Sequence, residues 1–91
     1  MPLPSKDDVR KDVVTILTVF TGKTLPQIHD DDDLQKDLQL KPDRLNALAI
    51  SLRGYIKQHN PDATIVGKEV KKKDTTVAKL VDLVFKKVSG Q

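Results

Sequence analysis

The chain has 91 residues, of which 37% are hydrophobic and 32% charged, with a formal net charge of +3 and no cysteine. This composition predicts one globular domain over residues 1–91, and the lack of cysteine excludes disulfides, thiolate metal sites and thiol nucleophiles. No apolar run approaches the roughly 18 residues of a membrane-spanning helix, and residues 1–6 lack an apolar stretch of signal-peptide type, so we expect a cytoplasmic location.

The first periodic segment predicts a helix that begins near Ser5. Ser5 and Asp8 have the spacing of a capping box, and acidic side chains favour the positive end of the helix dipole. Gly22 is a natural end for this helix. Its apolar residues recur at the spacing of one helical stripe: Val9, Val13, Ile16, Leu17 and Phe20.

Residues 24–40 are predicted to form a long ordered loop. It contains four consecutive aspartates, Asp30–Asp33, which we expect to face water. Five apolar side chains are expected to hold the loop to the core: Leu25, Ile28, Leu34, Leu38 and Leu40.

A second helix is predicted to begin at Pro42, because proline suits the first helical position, and to end around His59–Pro61. Gly54 lies within this helix, where glycine costs about 1 kcal/mol relative to alanine. This cost suggests that Gly54 allows close packing inside the bundle or close approach of a partner. The apolar stripe of the second helix is Leu45, Leu48, Ala49, Leu52 and Ile56.

Residues 63–70 fit either a short strand or an anchored loop with a short helical turn. After the charged segment Lys71–Lys73, either Asp74 or Thr75 is predicted to cap a last helix that ends at Ser89–Gly90. The stripe of this helix is Val77, Leu80, Val81, Val84 and Val88. These elements predict an all-α fold, a small up-and-down helical bundle with three main helices.

Four segments are informative when they are taken together: Leu25–Ile28 followed by acids and Asp37–Leu38, the helix whose apolar face ends at Tyr55–Ile56, Asn60–Asp62 with Ile65, and Asp74–Val77. Their order and spacing resemble the acyl carrier protein family. The resemblance implies a long first loop, three main helices and a short helical turn before the last helix.

In that family a serine at the start of the second helix carries a phosphopantetheine arm. An ungapped reading places Pro42 at this position, and a reading with two extra residues places Arg44 there. Neither side chain can form the phosphodiester, and Ser5, Ser51 and Ser89 lie elsewhere. We therefore expect no attached arm and no cofactor.

The second helix of family members is acidic and docks basic enzymes, whereas here Asp43 is its only acid. Like charges are costly at an interface, so the expected partner is a protein with an acidic surface. The candidate partner surface is Lys41, Arg44, Arg53 and Lys57. The leading hypothesis is a non-catalytic interaction or regulatory module; the alternative is an atypical acyl or peptidyl carrier in fatty-acid or polyketide-type metabolism.

A second alternative is nucleic-acid binding, because residues 41–91 carry eleven Lys or Arg against five acids, whereas residues 1–40 carry five against eight. The lysines concerned are Lys68, Lys71, Lys72, Lys73, Lys79, Lys86 and Lys87. We expect no enzyme and no metal site. Asp30–Asp33 lack the EF-hand pattern, and His29 and His59 without a third ligand make a poor metal set.

Overall fold

The computed structural model describes residues 4–90, which contain four α-helices and no strand. A 3₁₀ turn, Leu25–Gln27, lies in the loop between the first two helices. The α-helices are α1 (Lys6–Thr21), α2 (Pro42–His59), α3 (Gly67–Val70) and α4 (Val77–Ser89). The prediction of an all-α fold is confirmed, and α1, α2 and α4 pack on one another around a single aliphatic core.

Helix α1 begins and ends where its sequence predicts. Ser5 Oγ accepts a hydrogen bond of 3.2 Å from the Asp8 N–H, and an Asp8 carboxylate oxygen accepts one of 3.3 Å from the Ser5 N–H. Gly22 closes the helix at a φ of 72°, a conformation that glycine adopts without steric cost. Ile16 and Phe20 lie at the edge of the core and are only half-buried.

The predicted stripes of α2 and α4 are buried in full. Removing a Val, Leu or Ile side chain from water contributes roughly 1.5–3 kcal/mol, so these two stripes and α1 supply most of the drive for folding. Pro42 is the first residue of α2, and Gly90 follows α4 at a φ of 79°, as predicted for both ends.

Four of the five predicted loop anchors are buried: Ile28, Leu34, Leu38 and Leu40. The prediction for Leu25 is wrong, since its side chain is 48% exposed. Leu25 is the first residue of the 3₁₀ turn, none of whose residues is buried. A turn of three residues can lie on the surface, so an apolar side chain in it need not reach the core.

The predicted cap of α4, Asp74 or Thr75, is also wrong. Thr76 is the N-cap, and its Oγ1 accepts a hydrogen bond of 3.3 Å from the Lys79 N–H. Asp74 lies outside the helix at a φ of 63°. Thr75 is buried and its hydroxyl donates to the Lys72 carbonyl over 2.6 Å. Asp and Thr are both favourable N-cap residues, so the local sequence allows Asp74, Thr75 or Thr76 to cap α4. Tertiary contacts decide that Thr76 does so.

Residues 63–70 contain no strand and end in the single turn α3. Ile65 and Val70 anchor this segment in the core. The close-packing interpretation of Gly54 is wrong, because Gly54 is exposed and a β-carbon built there meets nothing within 4 Å. The close approach occurs at Gly67, where an added β-carbon would overlap Asn46 Oδ1.

Candidate functional site

The acidic run Asp30–Asp33 lies against the start of α4. The carbonyl oxygens of Asp32 and Asp30 accept hydrogen bonds of 2.9 Å from the N–H groups of Val77 and Ala78. These N–H groups lack partners within their own helix, so the loop backbone caps α4. The expectation of water exposure is correct for Asp30 and Asp31, whereas Asp32 and Asp33 are half-buried.

The Asp32 and Asp33 carboxylates stabilise turns within the loop by accepting backbone hydrogen bonds. Asp33 Oδ1 accepts hydrogen bonds of 2.9 Å from the N–H groups of both Gln35 and Lys36, and the bond from the Lys36 N–H is the main cause that lowers the pKa of Asp33. Asp32 Oδ2 accepts one of 2.9 Å from the His29 N–H. Within residues 4–90 there is no group of three or more His, Asp or Glu side chains arranged to hold a metal ion.

At the start of α2, Pro42 and Arg44 are both exposed. Arg44 Nη1 donates to the Phe20 carbonyl at the end of α1 over 3.4 Å. A surface cleft of about 350 Å³ lies here, with Leu40 and Lys41 in its wall. No residue of the first turn of α2 carries a hydroxyl group.

Three serines lie elsewhere in the structure. Ser5 caps α1, Ser89 is the last residue of α4, and Ser51 is exposed in the middle of α2. Only Ser51 therefore combines a place on α2 with an accessible hydroxyl.

The predicted surface of four basic residues divides into two parts. Arg53 Nε donates to the Ile65 carbonyl over 3.2 Å, and Lys57 Nζ donates to the Pro61 carbonyl over 3.2 Å. Arg44 precedes Arg53 by nine residues, which at 3.6 residues per turn places them on opposite sides of α2. Lys41 and Arg44 thus lie toward the end of α1, and Arg53 and Lys57 toward the segment that leads into α3.

Sequence reasoning missed three exposed aliphatic residues: Ile50, Val66 and Val19. Ile50 of α2 is 64% exposed and Val66, just before α3, is 42% exposed. The exposure of Ile50 could have been predicted from its position in the sequence. Ile50 falls outside the apolar stripe of α2, so its side chain lies on a face of the helix that points away from the core. Val19 of α1 is a comparable case, 76% exposed and outside the predicted stripe of α1.

Five of the seven lysines considered for nucleic-acid binding lie around two surface clefts, and a sixth, Lys86, is exposed in the last turn of α4. Lys68, Lys71 and Lys72 line an open groove of about 740 Å³ beside Val66, and Lys72, Lys73 and Lys79 line a neighbouring cleft of about 420 Å³. Lys87 instead forms an ion pair of 2.9 Å with Glu69.

The two histidines have different surroundings. His29 is an exposed loop residue whose Nδ1 lies 3.7 Å from Asp32 Oδ2. His59 closes α2 and packs edge-on against the Tyr55 ring, with 5.1 Å between ring centroids. Burial, and then a hydrogen bond to Asp12, raise the pKa of Tyr55.

Comparisons of the chain with protein-family profiles, with curated proteins and with solved structures found no match. The resemblance to acyl carrier proteins therefore stays a prediction from the sequence. None of the helices in residues 4–90 has the length and apolar character needed to cross a bilayer.

Proposed function

We propose that this chain is a non-catalytic protein-interaction module of acyl carrier protein-like architecture that carries no phosphopantetheine arm. The observation that carries the proposal is the start of α2, where the exposed residues Pro42 and Arg44 leave the first turn without a hydroxyl. A domain of this fold that has no serine for the phosphopantetheine arm can still act by binding other proteins through its surface.

The charge of α2 indicates the partner. Lys41, Arg44 and Lys57 are exposed and Arg53 is half-buried, against one acid, Asp43. An acidic surface on the partner complements this helix and a basic one is repelled. Because fold alone is a weak warrant for function, the proposal rests on this surface and on the missing hydroxyl.

Co-expression with a broad-specificity phosphopantetheinyl transferase, followed by intact-protein mass spectrometry, tests the proposal. The expected mass of the wild-type chain is that of the unmodified polypeptide. Pro42→Ser and Arg44→Ser each restore a hydroxyl at one of the two candidate positions, and a mass gain in either variant shows that the transferase accepts this scaffold.

A mass gain in the wild-type chain contradicts the proposal. If that gain disappears in Ser51→Ala, the chain is an atypical carrier modified in the middle of α2, where the Ser51 hydroxyl is accessible.

Nucleic-acid binding is a second candidate function, favoured by the five lysines around the two clefts beside α3. Phosphate contacts of this kind weaken steeply with salt. An electrophoretic shift of DNA or RNA at low salt, lost when Lys71, Lys72 and Lys73 are changed to Gln, supports it. Lys11→Gln on α1 is the control, and no shift at low salt removes this candidate.

A further inference from the structure

Two exposed aliphatic side chains, Ile50 and Val66, border the seam between α2 and the segment that leads into α3. Asn46 lies against Gly67, and Arg53 Nε is bonded to the Ile65 carbonyl. Val66 lies between Ile65 and Gly67 in the chain, so its backbone lies beside the face of α2 that carries Asn46 and, about two turns later, Arg53. Ile50 is four residues after Asn46, so it lies on the same face of α2, and it is exposed.

A basic rim flanks this seam on its α2 side and on its α3 side. It consists of Arg53 and Lys57 on α2 and of Lys68, Lys71 and Lys72 around the groove beside Val66. The acid of the groove, Glu69, accepts the Val66 N–H and is paired with Lys87. Within residues 4–90 the lysines of the rim form no ion pair, so the rim keeps its positive charge for a partner.

We propose that this seam binds an acidic amphipathic segment of a partner protein. Aliphatic side chains of that segment cover Ile50 and Val66, and its carboxylates face the basic rim. An apolar centre within a polar rim is the usual anatomy of a protein interface. This inference rests on the proposed function and deepens it, because it assigns the partner to the Arg53 and Lys57 side of α2.

The chemistry of the seam favours a protein segment over nucleic acid or a second copy of this chain. Single-stranded nucleic acid is held by aromatic stacking, whereas Ile50 and Val66 are aliphatic. A second copy that met this seam in a symmetric dimer would bring the same basic rim against itself, and like charges disfavour such a contact.

The probe for the test is a designed helical peptide with Leu along one face and Glu elsewhere, titrated into the full ¹⁵N-labelled chain and followed by amide chemical shifts. Expected shifts concentrate at Ile50 and from Val66 to Lys68, and the affinity falls as salt rises. A charge-reversed peptide, with the same Leu face and Lys in place of Glu, is expected not to bind.

Two serine variants give the matched comparison. Ile50→Ser is expected to weaken binding of the acidic peptide about tenfold, as the loss of an interface anchor does. Val19→Ser removes a similarly exposed aliphatic side chain on α1 and is expected to leave the affinity unchanged. Both positions are exposed, and the dispersion of the amide spectrum checks that each variant is folded.

Absence of binding, equal binding of the two peptides, or equal weakening by Val19→Ser overturns the inference. So does tighter binding at the same residues of a single-stranded oligonucleotide or of phosphatidylcholine–phosphatidylserine vesicles. These failures leave the unmodified intact mass as it is, whereas a mass gain in the wild-type chain overturns the proposed function, so the two results are distinguishable.

Discussion

The Tyr55 hydroxyl on α2 donates a hydrogen bond of 2.7 Å to Asp12 Oδ2 on α1. Burial of the phenol is the main cause that raises the pKa of Tyr55, and the Asp12 carboxylate adds to it. The chain has one tyrosine and no tryptophan, so the ionisation of the Tyr55 hydroxyl can be followed directly by tyrosinate absorbance.

We predict that Tyr55 ionises in the native protein well above the ordinary tyrosine pKa of about 10, and near that value in denaturant. A folded-state pKa above the unfolded one contributes stability that is fully present below about pH 10 and is lost as pH rises through the folded pKa. Asp12→Asn is expected to lower the native midpoint. Equal midpoints in the native and denatured chain contradict the assignment.

The Asp33 turn predicts a response at acidic pH. A folded-state pKa below the unfolded one contributes stability that is present above the ordinary Asp value of about 3.9 and is lost as pH falls through the folded pKa. Asp33→Asn keeps an acceptor for the Gln35 and Lys36 N–H groups but does not ionise.

The difference in melting temperature between the wild-type chain and Asp33→Asn should therefore shrink as pH falls below about 4. Asp31→Asn is the control, because the Asp31 side chain is exposed and forms no hydrogen bond within residues 4–90. A difference for Asp33→Asn that stays constant with pH contradicts this role.

Thr76→Ala removes the N-cap of α4 and should lower the free energy of unfolding by about 1 kcal/mol, measured by urea denaturation. Thr76→Ser keeps the capping oxygen and should recover most of this loss. Asp74→Asn, at one of the two residues expected to cap, should cost at most about 0.5 kcal/mol, since its ion pair with Lys36 is exposed. A larger effect at Asp74 than at Thr76 contradicts the assigned cap.

The contact between Gly67 and Asn46 predicts coupling between two substitutions. With Asn46→Ala in place, Gly67→Ala should stabilise the protein by about 0.4–1 kcal/mol, because alanine restricts the unfolded chain. In the wild-type background the new β-carbon meets Asn46 Oδ1, so this gain should be lost.

Gly54→Ala serves as the uncoupled comparison, since nothing lies within 4 Å of a β-carbon there. It should stabilise the exposed interior of α2 by about 1 kcal/mol in either background. A double-mutant cycle measures the coupling, and a Gly67→Ala effect that is independent of Asn46 refutes the close approach.

The three long helices were predictable from the sequence because their signals are local. Stripes such as Leu45 to Ile56 recur at the helical period, and the Ser5–Asp8 box and Gly22 lie within one turn of the ends that they mark. The hydroxyl-free first turn of α2 was likewise readable from Pro42 and Arg44 alone.

Only the tertiary structure decided which residue caps α4, because several neighbouring residues carry the same local capping signal. Asp74, Thr75 and Thr76 can each cap a helix, and the pairing of Asp33 with Thr76 selects the last of them. The same loop gives Asp30–Asp33 a capping role for α4 that composition does not reveal, because it depends on a contact across some 45 residues of chain.

For the candidate site, too, some features were predictable from the sequence and others depended on the fold. The sequence by itself determined which residues of α2 are basic and that Ile50 stands outside its apolar stripe. Only the fold decided that Arg44 bonds to the end of α1 and Arg53 to the segment that leads into α3. The packing of that segment on α2 also underlies the proposed seam. Helical periodicity places a side chain on a face of its own helix, but what lies opposite that face depends on the packing of segments distant in the chain.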